Sequence, residues 1–248
     1  MADYKFPTEM VDLPSKGYFY FEGHPLSSGK VEIKYMTAKE EDILTSQNLI
    51  KQGTVIDKLL ESLIVDKSIK IDDMLIGDKN AIMVASRILG YGKEYSFTYD
   101  GKEHTMDLST LEPVKLDFSK LTKGINEFNF ELPHSKRNIT FKLLNGIDEN
   151  QIEGELKART KISKDYVGEL TTRLKGMVTS VDGKREKTYI NNFVDNEFLS
   201  RDSLVFREYL GKFTPDVDMN ARIVNADGEE MVVGVPVTLR FFWPASGI

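Results

Sequence analysis

The chain has 248 residues, enough for one large domain or two ordinary ones with a sizeable core. Its formal net charge of −6, with Lys and Arg scattered among the acids, argues against nucleic acid or an anionic membrane surface as the main partner. Cysteine is absent, which excludes disulfides, thiolate metal sites and a catalytic thiol. No apolar run has the length of a membrane span and residues 1–9 lack a signal-peptide pattern, so we expect a cytoplasmic protein.

The first predicted segment, residues 1–29, is an irregular aromatic arm. The turn residues Leu13-Pro14-Ser15-Lys16-Gly17 precede the aromatic run Tyr18-Phe19-Tyr20-Phe21. Such an arm is ordered only if its aromatic side chains pack against something. Polar and apolar residues then alternate over residues 30–36, which predicts a half-buried strand.

Helical patterns follow over residues 38–92. Thr37 with Glu40 three residues later predicts a capping box that starts a helix over about residues 38–51, ended by Gly53. A second helix is expected over residues 55–64, where the apolar spacing marks one face. A third is expected over about residues 78–89.

The next section is predicted to be a small β region. Residues 94–99 and 102–108 flank Asp100-Gly101, a favoured two-residue hairpin turn. Further strands are expected at residues 114–118, 127–132 and 138–144.

The last section is predicted to return to helix and to close on a hairpin. Helices are expected over residues 148–162 and 165–181, and another is expected to begin at Ser200. The closing hairpin joins residues 220–226 to residues 230–242 through Asp227-Gly228.

These elements predict an α+β fold, with helical blocks around a small antiparallel β region and a closing C-terminal β-hairpin. The expected divisions are the N-terminal arm (1–29), a strand with helices (30–92), the β region (93–146) and a section of helices with the hairpin (147–248). One composite domain is the alternative.

The sequence contains no motif that indicates catalysis, a metal or a cofactor. The three histidines, His24, His104 and His134, have no metal-ligand spacing. The acids of Lys39-Glu40-Glu41-Asp42 are explained by the first turn of a helix. The basic cluster Lys184-Arg185-Glu186-Lys187 is more typical of a solvated loop than of a phosphate-binding track. We therefore predict no catalytic residue, no metal ligand and no cofactor.

Two aromatic groups remain as candidate partner-binding residues. They are Tyr18, Phe19 and Tyr20 in the arm, and Phe241, Phe242, Trp243 and Pro244 near residue 248. Large aromatic side chains are costly to leave in water and often dominate the energetics of interfaces. For both groups, packing into the chain's own core is an equally open alternative.

Several motifs in this order resemble a phage family. They are Leu13-Pro14-Ser15-Lys16-Gly17-Tyr18, the helix start Thr37-Ala38-Lys39-Glu40-Glu41-Asp42, the hairpin with Asp107-Leu108 and Leu111, and Phe241-Phe242-Trp243-Pro244. The chain resembles the T-even-type baseplate hub assembly proteins of contractile-tailed bacteriophages over nearly its whole length. Some members carry cysteine pairs in the hairpin, suggestive of a zinc knuckle. This sequence has Asp100-Gly101 there, so zinc is not expected.

The resemblance implies a non-enzymatic protein that acts in building the hub of the contractile-tail baseplate. Its expected partners are other hub or tail proteins, with the tape-measure protein as one candidate, and its expected location is the host cytoplasm during assembly and then the tail baseplate. Three alternatives stay open. They are a transient assembly chaperone absent from the virion, a peptide-binding adaptor unrelated to phages, and a metal-assisted hydrolase that uses His104 or His134 with Asp100.

Overall fold

A computed structural model describes residues 7–162, 168–224, 228–237 and 239–242, and it has the predicted α+β architecture. The helices are α1 (Ala38–Thr45), α2 (Gln47–Gln52), α3 (Val55–Leu63), α4 (Ile76–Tyr91), α5 (Gly146–Ile162), α6 (Glu169–Met177), α7 (Lys187–Asn196), α8 (Ser200–Phe213) and α9 (Leu239–Phe242). The strands are β1 (Thr8–Asp12), β2 (Lys30–Lys34), β3 (Glu94–Tyr99), β4 (Lys102–Asp107), β5 (Phe128–Glu131), β6 (Asn138–Phe141), β7 (Val178–Val181), β8 (Asn220–Val224) and β9 (Glu230–Gly234).

The strands form small antiparallel sheets. The pairs β1–β2, β3–β4 and β8–β9 are two-stranded, and β5-β6-β7 is three-stranded. Short sheets of this kind are not stable alone, so each must pack its apolar face against helices. The buried apolar side chains of the described residues, apart from Ile152, form one cluster, which runs from Val11 to Phe242 and includes members from each of the four predicted segments.

Local sequence signals for several elements are confirmed. The capping box of Thr37 and Glu40 starts α1. The hairpin β3–β4 turns at Asp100 and Gly101, whose φ angles of 47° and 72° are those of the expected tight turn. The helices predicted around residues 55–64, 78–89 and 148–162 are present as α3, α4 and α5.

The N-terminal arm is less irregular than predicted, because its first part is a strand. β1 pairs antiparallel with β2, with Val11 opposite Val31. The helix expected over residues 38–51 is divided into α1 and α2. The division falls at Ser46, whose backbone is extended (φ −66°, ψ 105°), and Ser is a residue that favours helix ends over helix interiors.

The helix predicted over residues 165–181 is present as α6 over Glu169–Met177, but the prediction is wrong for the last four residues, which form strand β7. β7 pairs with β6, and Val178 and Val181 are buried there, so tertiary pairing overrides the local helical pattern. α7 was not predicted. It begins at the basic cluster that was interpreted as a solvated loop, and Ile190, Phe193 and Val194 form its buried face.

The closing hairpin is present as β8–β9, but its second arm is shorter than predicted. β9 ends at Gly234, and the chain turns into α9 at Leu239. The strand predicted at residues 114–118 is wrong, because these residues do not pair with any strand in the described part of the chain. The nearest β-type pairing is a single bridge between Pro113 and Val217. Asp227, of the predicted turn, lies outside the described residues.

Candidate protein-binding groove

The arm motif at residues 13–18 folds into a tight turn against the chain. Lys16 and Gly17 both have positive φ, 49° and 74°. The Lys16 N–H donates to the Leu13 carbonyl at 2.9 Å, which closes the turn. At Gly17 a Cβ atom would lie 2.4 Å from the Ser27 carbonyl oxygen, so the two backbones touch. Only glycine meets both conditions at once.

A buried carboxylate fixes the turn to the first turn of α4. Asp78 accepts the Ser15 N–H at 2.9 Å and the Tyr20 hydroxyl at 2.6 Å. The Tyr20 oxygen in turn accepts the Leu75 N–H at 2.9 Å. Burial raises the pKa of the Asp78 carboxyl, although these hydrogen bonds oppose the shift. Burial, followed by the charge of Asp78, raises the pKa of Tyr20 as well.

We expect Tyr20→Phe to lower the free energy of unfolding by about 2 kcal/mol, because it leaves Asp78 Oδ2 and the Leu75 N–H each without their buried partner. The matched control is Tyr99→Phe, since Tyr99 is exposed in β3 and its change should stay within about 0.5 kcal/mol. Urea denaturation measures both. In a double-mutant cycle with Asp78→Asn, additive effects would contradict a direct Tyr20–Asp78 interaction.

A second buried carboxylate, Glu40, explains the acidic helix start. It accepts hydrogen bonds from Lys34 Nζ at 2.8 Å, from Ser62 Oγ at 2.6 Å and from the Thr37 N–H at 2.9 Å. Burial alone would raise the pKa of Glu40, but these three partners outweigh it and lower the pKa to about 2. Glu40 therefore has a structural explanation, as its position in the capping box predicts.

We expect Glu40→Gln to lower the free energy of unfolding by about 2 kcal/mol at pH 7. The displaced pKa corresponds to about 3 kcal/mol, and Gln keeps part of the hydrogen bonding. A depressed acidic pKa stabilises the fold above the ordinary pKa of Glu and ceases to do so as pH falls to about 2. The difference between wild type and variant should therefore shrink from pH 5 to pH 2. The control is Asp42→Asn, on the exposed side of the same helix.

The structure places the predicted arm residues Tyr18, Phe19 and Tyr20 against the chain itself. Phe19 is buried with its ring 5.8 Å from that of Phe128, and Tyr20 is buried beside Asp78. Tyr18 is half-buried, with its ring 4.8 Å from the Phe118 ring. The packing alternative thus accounts for Phe19 and Tyr20, and the partner-binding role of all three stays a prediction.

The C-terminal aromatic residues are divided between described and undescribed parts of the chain. Phe241 and Phe242 are fully buried, and the Phe241 ring lies 5.0 Å from that of Tyr95 in an edge-to-face contact. Trp243 and Pro244 lie outside the described residues. A partner could reach Phe241 and Phe242 only if α9 left its place, so their role at an interface stays a prediction.

An apolar groove of about 870 Å³ lies beside the arm turn. Its floor is one face of α4, formed by Ala81, Val84, Ala85 and Ile88. The spacing of these four residues places them on the same side of a helix. Two of the four are alanines, whose short side chains occupy less space above the helix than larger side chains would.

The groove has one wall from the arm and one from a segment that includes residues 114–118, which were predicted to form a strand. The arm contributes Leu13, Pro14 and Lys16, and the other wall includes Val114 and Phe118. Lys16 Nζ lies 4.8 Å from the centre of the Phe118 ring, which links the walls at one end. The groove therefore joins parts of the chain far apart in sequence.

Backbone hydrogen bonds hold the segments that form both walls. Strand β1, which leads into the arm wall, has β2 as its hydrogen-bonded neighbour in the described part of the chain. The opposite wall is held by the Val114 N–H, which donates to the Asp216 carbonyl at 2.8 Å. An extended peptide laid over α4 would meet apolar side chains of the helix and of both walls. Apolar grooves recur in peptide recognition.

The residues considered for metal-assisted hydrolysis are His104, His134 and Asp100. His104 lies in β4 with its ring 5.9 Å from the Phe97 ring, and Asp100 lies in the β3–β4 turn. The backbone N–H of His134 donates to Asp202 at 2.7 Å. Across the described ranges, no group of three His, Asp or Glu side chains is arranged to hold a metal ion. Among the helices that the structure describes, none combines the length and apolar character needed to cross a membrane.

Comparison of the chain with models of protein families, with curated proteins and with solved structures gives no match.

Proposed function

We propose that this chain is a non-enzymatic protein of contractile phage tails that acts in assembling the baseplate hub by binding other tail proteins. The observation that carries the proposal is the groove over α4. One wall of this groove is the Leu13-Pro14-Ser15-Lys16-Gly17-Tyr18 motif, which also carries the family resemblance. The motif therefore packs against the rest of the fold and also forms part of a surface suited to binding.

The occupant we propose is an extended, mainly apolar segment of a hub or tail protein. The floor offers small apolar side chains, Ala81 and Ala85, which favour close approach of another backbone. Charges lie at the rim, where Asp12 and Lys30 form an ion pair with a distance of 3.1 Å. Such a division, with an apolar centre and a polar rim, is typical of protein interfaces.

Affinity capture tests the proposal with a matched pair of variants. Ala85→Glu puts a charge on the half-buried floor, and Leu204→Glu puts the same charge on the exposed face of α8, where Leu204 is 49% exposed. Tagged wild type, expressed in cells infected by a contractile-tailed phage that encodes the chain, should capture hub or tail proteins. Ala85→Glu should lose at least about 90% of this capture, and Leu204→Glu should retain it.

The outcomes separate the alternatives. Capture from assembling cells together with presence in finished virions indicates a structural subunit, and capture without presence in virions indicates a chaperone. Capture of no tail protein by the wild type would overturn the phage proposal and favour an adaptor of another system. Equal capture by both variants, with melting temperatures unchanged, would overturn the role of the groove.

A further inference from the structure

A second cavity, unrelated to the groove, lies among α5, α6, α7 and β7 and has a volume of about 310 Å³. Four basic side chains and two acidic ones line it. The bases are Lys142, Lys175, Arg185 and Lys187, and they come from three separate parts of the chain. Arg185 and Lys187 belong to the basic cluster that was expected to be a solvated loop.

The acids around this cavity are already engaged. Asp148 accepts from Lys142 Nζ at 2.6 Å, and Glu155 pairs with Arg159 on the same helix. Lys187 differs from the other bases, because its ammonium donates to the Lys175 carbonyl at 2.6 Å and has no carboxylate partner in the described ranges. An ammonium has three donors, so Lys187 keeps two for a ligand.

Two oxygens in the cavity wall have no hydrogen-bond partner in the described part of the chain. They are Thr172 Oγ1 and Asn191 Oδ1. Thr172 is only 2% exposed, so its hydroxyl cannot reach bulk water. A buried hydroxyl without a partner is unfavourable, so a polar occupant of the cavity would be stabilised by a hydrogen bond to it.

The start of α7 adds donors at the same place. Lys187 is its first residue, and the preceding Glu186 makes no side-chain hydrogen bond to the helix. The first N–H groups of a helix have no partner within the helix, and the helix dipole attracts negative charge to this end. Rotation of the Asn191 amide by 180° would turn its NH₂ group inward as a further donor.

We propose that this cavity binds a small oxyanion of the phosphate class. The Thr172 hydroxyl, the Lys187 ammonium and the Asn191 amide would donate to its oxygens. The volume suits a phosphate group with a few waters and lies at the lower end of small-ligand sites, which begin at about 300 Å³. The ligand is a free phosphate or the phosphate group of a nucleotide, two sources with the same chemistry.

Titration with inorganic phosphate, followed by calorimetry and by thermal unfolding, tests the site. Wild type should show saturable binding at one site and a rise in melting temperature on the order of 3 °C at ten times the dissociation constant. Thr172→Val keeps the shape of the side chain and removes the unpaired hydroxyl. It should be at least as stable as wild type without phosphate, and should bind phosphate about tenfold more weakly.

Two lysines provide a matched comparison. Lys187→Gln should weaken binding about tenfold. Lys184→Gln should leave it unchanged, because Lys184 lies over the Tyr189 ring at 4.5 Å and is not in the cavity wall. Nucleoside monophosphates tested in parallel distinguish the sources: tighter binding than phosphate identifies a nucleotide, and weaker binding identifies free phosphate. No saturable binding of any of these anions, or equal binding by Thr172→Val and wild type, would overturn the site.

Discussion

Phe241→Ala should lower the free energy of unfolding by about 3–5 kcal/mol, the usual loss when a fully buried aromatic side chain is removed. Phe241 is 0% exposed and contacts both Tyr95 and Phe242 with ring distances of 5.0 and 5.2 Å. The substitution leaves a cavity in the core, because Tyr95 and Phe242 lose the ring against which they pack. Chemical denaturation of the purified chain measures the loss.

The control for this prediction is Phe21→Ala, because Phe21 is 62% exposed and should change stability by no more than about 0.5 kcal/mol. The comparison also separates the two roles considered for the C-terminal aromatic residues. If Phe241 served only to hold a partner, Phe241→Ala would keep its stability and lose only capture of that partner. Equal stabilities for the two variants would therefore contradict the buried position of Phe241.

Gly17→Ala is expected to have the second large effect, a loss of about 3 kcal/mol or more. The φ of 74° costs an alanine about 1–2 kcal/mol. The new Cβ would also lie 2.4 Å from the Ser27 carbonyl oxygen, and this contact involves backbone that is held in place by the neighbouring turn. Because the turn places Pro14 and Lys16 in the groove wall, the same variant should also weaken capture of the partner.

Gly154→Ala is the matched control for Gly17→Ala. Gly154 lies inside α5, and a Cβ there would meet no atom within 4 Å. Alanine is the better helix former, so this variant should gain up to about 1 kcal/mol. Thermal unfolding of both variants gives the comparison. A Gly17→Ala protein as stable as wild type would contradict the close contact between the arm turn and residues 24–29.

The sequence predicted the elements whose signals are local. The capping box at Thr37, the Asp100-Gly101 hairpin and the apolar faces of α3 and α4 depend on residues within a few positions of each other. These elements established the α+β class. The aromatic arm was also expected to be ordered only by packing, and Phe19 and Tyr20 are buried as this requires.

One error arose where pairing over a long distance decides the conformation, and two arose from the weight given to local signals. β7 continues the pattern of α6, and its strand state comes from β6, about 40 positions earlier. α7 was missed because Asn191, Asn192 and Asn196 are poor helix formers, although Ile190, Phe193 and Val194 have helical spacing. β9 ends before Pro236, which gives no N–H to a ladder, so the closing arm is shorter than its apolar run suggested.

Only one part of the candidate groove, its arm wall, could be predicted from the sequence. The motif at residues 13–18 was identified as important, and it lies in the groove wall. The α4 floor was not found, because alanines such as Ala81 and Ala85 give no signal of function in a single sequence. The facing wall was predicted to be a strand, and its position beside the arm depends on long-range contacts such as that of Lys16 with the Phe118 ring.

Site-specific photo-crosslinking gives the most direct test of the proposed role. A photoreactive amino acid replaces Lys115, an exposed residue at the rim of the groove, in cells infected by a contractile-tailed phage that encodes the chain. A control chain carries the same residue in place of Leu204. We expect the first chain to crosslink to a hub or tail protein of the baseplate and the control to crosslink to none. Identical crosslinks from both positions, or no tail protein at position 115, would contradict assembly through this groove.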